Sequence, residues 1–192
     1  HSAAQREHLG HVSGGYRTVI NRLGELIHSQ GGDIRSEIAV KAIHPQPEGG
    51  LWIEWDGRRE PFDKVTCTSP ADVLRRLAGD DLLDVTRPGT GIEYLGVVCL
   101  VLVTSRPMTP FYVLNIADSR VPFTGVIGMS TVVSTDETGG LYLTYFPKYV
   151  LSNDPLLKES DDTIRKQFLE GVGLMYAELS AKEIVGAHIN RA

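Results

Sequence analysis

The stretch Leu95-Gly96-Val97-Val98-Cys99-Leu100-Val101-Leu102-Val103 decides how this chain is read. With its flanks, Ile92 to Thr104, it is a run dominated by β-branched and apolar residues. A strand covered on one face alternates apolar and polar side chains, whereas a strand covered on both faces does not. The run is therefore expected to be a central strand of a sheet. It is far short of the roughly 20 residues that cross a bilayer.

Further strands are expected on its C-terminal side, at Phe111 to Ile116, Val121 to Val133 and Leu141 to Phe146. Asp154-Pro155 breaks the chain. Ile164, Phe168, Val172, Met175, Tyr176 and Leu179 then fall on one helical stripe. Ser160, Asp161 and Asp162 suit the start of that helix, by capping and by the helix dipole. Glu183 to Ile189 reads as a last strand.

On the N-terminal side, Tyr16, Val19, Ile20, Leu23, Leu26 and Ile27 also have helical spacing. Ser13 is placed to cap that helix, and Gly31-Gly32 to end it in a left-handed turn. Asp33 to Ile43 reads as extended, until Pro45, Pro47 and Gly49-Gly50 interrupt it. Leu51, Ile53 and Trp55 alternate as in a half-buried strand, Asp56-Gly57 signals a two-residue hairpin turn, and Arg58 to Phe62 returns. Val65 to Thr68 reads as a short strand ending at Ser69-Pro70, and residues 71–78 as a short helix with Val73, Leu74 and Leu77 on one face. Runs of strands with helices set apart point to an α+β fold. The expected form is a largely antiparallel mixed sheet with helices packed on one face, as one domain over residues 1–192.

The chain has 192 residues, a formal charge of -5 and a pI near 5.7. That balance argues against nucleic acid as a partner, because phosphate binding wants a basic patch. The cluster Arg58-Arg59 stands beside Glu60 and reads as a solvated hairpin edge. The two cysteines, Cys67 and Cys99, lie inside apolar runs and read as buried free thiols. There is no CxxC pair, and the six histidines lack ligand spacing, so no metal site is expected. No signal peptide is visible, and a cytoplasmic setting fits. A dinucleotide-binding GxGxxG, a P-loop, an HExxH and a GxSxG elbow are all missing. Residue by residue, the chain reads as an α+β domain without a complete catalytic constellation.

An ordered series of short motifs nevertheless carries a resemblance. It runs through Gly14-Gly15-Tyr16, Leu23, Leu26, Gly31-Gly32-Asp33-Ile34, Val40-Lys41-Ala42-Ile43, Leu51-Trp52-Ile53 and Gly57, and closes on Asp63-Lys64-Val65-Thr66-Cys67-Thr68-Ser69-Pro70. The series resembles the middle of flavin-containing amine oxidases and their relatives, the protoporphyrinogen oxidases and phytoene desaturases. Tyr94 to Leu102, Pro110-Phe111-Tyr112, Asn115-Ile116-Ala117-Asp118, Pro122-Phe123 and Leu143 to Tyr149 are similar to a branch known as NAD(P)/FAD-dependent oxidoreductases. That branch carries an acidic residue before a Thr-Asn pair, where this chain reads Gly128-Met129-Ser130-Thr131.

The resemblance implies a substrate-binding domain of an FAD-dependent enzyme that oxidises an amine, or desaturates a C–C or C–N bond, by hydride transfer to flavin. Such enzymes hold FAD mainly on an N-terminal Rossmann unit. On this reading the chain lacks that unit and the C-terminal segment that covers the flavin. Its ends read as cut, and a GxGxxG unit is expected upstream in the parent. The chain alone should then bind FAD weakly or not at all.

Implied cofactor contacts are Val40, against the adenine end of FAD, and Thr68, Ser69 and Pro70 on the returning strand. Gly14 and Gly15 are implied near the crossover between domains. Implied substrate contacts are Tyr94, Tyr112, Asn115 and Tyr145, with Tyr142 beside them; taken alone, each tyrosine reads more readily as core or sheet surface. The implied partners are the FAD-binding domain of the same parent chain and a small-molecule substrate. An exposed flavin-facing surface would also allow a homo-oligomer. Two alternatives remain: a freestanding α+β binding or interaction module without redox activity, and a flavin mutase acting on a sugar nucleotide. The mutase would want arginines for a diphosphate, and the strands carry few.

Overall fold

A computed structural model describes residues 10–82 and 92–192. The fold is α+β, as expected, and every strand pairing among the described residues is antiparallel. The strands form a three-stranded and a five-stranded sheet. The chain divides into two compact units. One comprises Gly24–Ile92, and the other combines the residues up to Leu23 with Glu93–Ala192. No helix among the described residues is long and apolar enough to cross a membrane.

Helix α1 spans Tyr16–Ser29. Its end follows from local chemistry. Gly31 takes φ +82°, Gly32 N–H donates to the Ile27 carbonyl (2.9 Å) and Gly31 N–H to the His28 carbonyl (3.0 Å), the paired bonds of a Schellman stop. None of the helix residues is buried.

In the smaller unit, β1 (Ala42–Pro45), β2 (Leu51–Trp55) and β3 (Arg58–Phe62) form a meander. Asp56 and Gly57 both have positive φ, +46° and +73°, as the mirror-image hairpin turn requires, and Trp55 faces Arg58 across it. Helix α2 (Ala71–Leu82) opens with Leu74 N–H on the Pro70 carbonyl and is kinked at Gly79, where φ is +65°.

One expectation fails in this unit: Val65 to Thr68 is not a strand. The segment has strand composition, but a strand needs a hydrogen-bonded neighbour strand, and none pairs with it among the described residues. The extended stretch runs into β1, where Ala42 and Ile43 pair with β2 and Lys41 N–H donates to the Glu54 carbonyl (2.7 Å).

The larger unit holds β4 (Leu95–Thr104), β5 (Val113–Asn115), β6 (Gly125–Gly128), β7 (Tyr142–Leu151) and β8 (Ile184–Arg191). Their order is β5-β6-β7-β4-β8, so β4 lies inside the sheet as expected. Strand β6 is shorter than Val121 to Val133, because Met129–Thr131 coils into a 3-10 turn; β7 runs on through Pro147 to Leu151. Helix α3 (Asp161–Met175) starts where Ser160 Oγ accepts from Thr163 N–H, and ends four residues short of Leu179. Its stripe of Ile164, Phe168 and Val172 seals one face of the sheet against Val98, Leu100, Leu102 and Phe146. Phe123 meets both Phe146 (centroids 4.8 Å apart) and Phe168 (5.7 Å).

Candidate functional site

In the smaller unit, the segment before β1 and the start of α2 border an open cavity of about 490 Å³. Its wall is Ile38, Val40, Val73 and Leu77, with Ser69, Lys41 and Arg76 as the polar members. Val40 and Ser69 are far apart in sequence, yet they meet here. Thr68 and Pro70 flank Ser69 and are exposed, but neither lines the cavity. Lys41 and Arg76 escaped the sequence reading. The signal for Arg76 was its place between Val73 and Leu77, a cation inside the apolar face of α2 at helical spacing. No carboxylate lines the cavity among the described residues.

A second cavity, about 270 Å³, opens beside it under Ile38, Val40, Ile53, Trp55 and Phe62. Arg35 stands over the Trp55 ring at 5.7 Å. Its guanidinium donates to Glu60 (2.6 and 3.3 Å) and to Asp33 (2.6 Å). Those bonds raise its pKa further above the ordinary arginine value, Glu60 contributing most.

In the larger unit, Gly14 and Gly15 form the turn ahead of α1 with φ of +78° and +68°. Gly14 N–H donates to the Glu137 carboxylate (3.0 Å), with His11 Nε2 3.4 Å from it. The Gly14 N–H is the main cause that holds Glu137 below the usual glutamate range.

The four implied substrate residues separate. Tyr145 and Asn115 share the sheet face that α3 does not cover: Tyr145 pairs with Ile127 and Val101, and Asn115 lies two residues beyond the partner of Ile127. Burial raises the pKa of the Tyr145 hydroxyl, helped by nearby Cys99, and burial likewise raises that of the Cys99 thiol. Tyr94 and Tyr112 each lie just outside a strand, and Tyr112 lends its carbonyl to Gly128 N–H (2.8 Å). Tyr142 lines a small cavity of about 90 Å³ with Thr109, Gly128, Ser130 and Thr131. The hydroxyls there are committed to structure: Ser130 Oγ accepts from Leu143 N–H, and Thr131 Oγ1 donates to the Gly128 carbonyl. A side chain at 128 would put its Cβ 2.6 Å from the Phe111 carbonyl and 2.7 Å from Thr109 Cγ2, so the close approach there requires glycine.

The family model of flavin-containing amine oxidoreductases matches residues 2–187. The chain belongs to that family. No curated protein matches it. Among solved structures, it resembles a putative protoporphyrinogen oxidase from Exiguobacterium sp. 255-15, with a TM-score of 0.75 and 16% identity over 92% of this chain and 38% of that one. An oxidoreductase from Methanosarcina mazei follows, with a TM-score of 0.72 and 18% identity over 93% of this chain and 43% of that one. Reduced UDP-galactopyranose mutase gives a TM-score of 0.69 and 17% identity over 93% and 39%. At these identities the likeness is one of fold. This family member spans well under half the length of each of those chains.

Proposed function

We propose that this chain is the substrate-side part of an FAD-dependent oxidoreductase acting on an amine or on a C–C or C–N single bond. Bound flavin supplies the hydride acceptor. The chain's own residues orient the substrate, keep water from it and supply polar contacts. The observation that carries the reading is the family match over residues 2–187, joined to a cavity where Val40 and Ser69 meet.

That cavity fits the adenosine and phosphate part of the cofactor. Ile38, Val40, Val73 and Leu77 suit a flat ring, and Lys41 and Arg76 suit phosphate oxygens. The exposed apolar stripe of α1, with Tyr16, Ile20, Leu23 and Leu26, supports a flavin-binding body of the same parent protein as its cover. The freestanding module has no comparable observation behind it.

Titration of the chain with ADP and with adenosine, followed by amide NMR, tests this reading. ADP is expected to shift the amides of Val40, Ser69 and Arg76 at roughly millimolar concentration and to bind more tightly than adenosine. The double change Lys41→Ala and Arg76→Ala should remove that preference. ADP shifts located elsewhere, or a parent protein that purifies without flavin, would count against it.

A further inference from the structure

The sheet face left uncovered by α3 has an unusual composition. One cross-strand row on it reads Ile127, Tyr145, Val101, His188 across β6, β7, β4 and β8. The next row pairs Pro147, Cys99 and Asn190. Following the registers along all five strands, no residue on this face is Asp, Glu, Lys or Arg. The charged residues of β7 and β8, Lys148 and Arg191, both fall on the other face.

Two properties distinguish this face from plain packing surface. It remains open at Val113 and Tyr149, which are 48% and 60% exposed. It also sets polar groups in an apolar field, Tyr145 and Cys99 near its middle and His188 and Asn190 on the margin strand β8. An apolar wall with a few placed hydrogen-bonding groups is how small-molecule sites are built. A carboxylate, phosphate or ammonium laid on this face would lose hydration and meet no counter-charge from its strands.

We infer that this face takes an uncharged, mainly apolar substrate, held at one polar point by the Tyr145 hydroxyl. The inference rests on the flavin reading for what happens to the substrate, and on charge complementarity for its class. It sets aside sugar nucleotides, fatty carboxylates and amines bound as cations, and narrows the proposed function to a neutral amine or an uncharged molecule with a C–C or C–N bond to desaturate.

The test uses the chain with three probes of one apolar body: n-decanol, n-decanoate and n-decylammonium, below their micelle concentrations. At about pH 8 a histidine is ordinarily neutral and both ionic probes are charged. Amide and methyl NMR should place decanol on Val97, Val101, Val103 and Tyr145. Its Kd should be at least about tenfold lower than that of either ion, because only the ions must shed hydration uncompensated. Val101→Lys should reverse the order in favour of decanoate, and the wild-type comparison stands without that variant. An ion binding the face as tightly as decanol overturns the inference, and so does the absence of shifts on the face with decanol. Neither result bears on the flavin reading, which fails instead if the parent carries no flavin.

Discussion

The two compact units hold themselves together by different means. The larger one has a layered core, in which Val98, Leu100, Leu102, Phe123, Phe146, Ile164 and Phe168 are almost or entirely excluded from solvent. The smaller one buries only Ile43 and Trp55 among its described apolar side chains. It relies instead on a meander locked by a tight turn and on exposed ion pairs such as Arg35–Glu60 and Arg59–Glu54. Exposed pairs of this kind contribute little, whereas each buried large side chain contributes several times more. The larger unit is specified by its own buried residues, and the smaller one has little buried core of its own.

The largest expected effect is in the larger unit. Phe168→Ala removes a ring that touches Phe123 and should cost about 3–5 kcal/mol in denaturant unfolding. A cost near 1 kcal/mol would erase the contrast between the units. Next, Ile43→Ala should cost about 2 kcal/mol, the low end for such a truncation, because the thin surroundings relax readily. Hydrogen exchange can localise that loss to β1, β2 and β3, whose amides should already exchange faster than those of β4 and β7.

Gly171→Ala sharpens the picture of tight packing. Its new Cβ would lie 2.4 Å from Pro122 Cδ, so a loss of about 1–2 kcal/mol is expected by thermal unfolding. The smallest effect concerns Glu183, which accepts from Ser180 N–H (2.8 Å) and from Arg106 Nε (2.6 Å). These bonds, the Ser180 N–H first, hold its pKa below the usual value. A carboxylate with a lowered folded-state pKa adds stability above its unfolded pKa and loses it as pH falls through the folded one. Glu183→Gln should therefore lower Tm at neutral pH, and the gap to wild type should close on acidification below about pH 4. A gap that persists into acid would show that Glu183 acts by shape alone.

Features set by nearby residues were legible in the sequence. Asp56-Gly57 specifies its turn, Gly31-Gly32 stops α1 and Ser160 caps α3, each through bonds within a few residues. Val65 to Thr68 misled because strand composition says nothing about a neighbour to bond with. The resemblance implies both Val40 and Ser69 as cofactor contacts, and only the fold brings them to one cavity. The open sheet face was illegible for the same reason. That His188 stands beside Val101, and Val101 beside Tyr145, depends on registers joining residues more than forty positions apart.

Strand β8 lies at the margin of its sheet, so one rail of its backbone is left without a strand partner among the described residues. Such a rail is a template on which a stray extended segment can crystallise into cross-chain pairing. Helix α3 supplies a guard. Arg165 Nε engages the Ala187 carbonyl at 3.1 Å, and Arg191 reaches Asp161 and the Glu159 carbonyl. These two arginines therefore also have a colloidal role: Arg165 occupies one backbone acceptor of β8 and both crowd the margin with charge, which disfavours one molecule's sheet growing into the next.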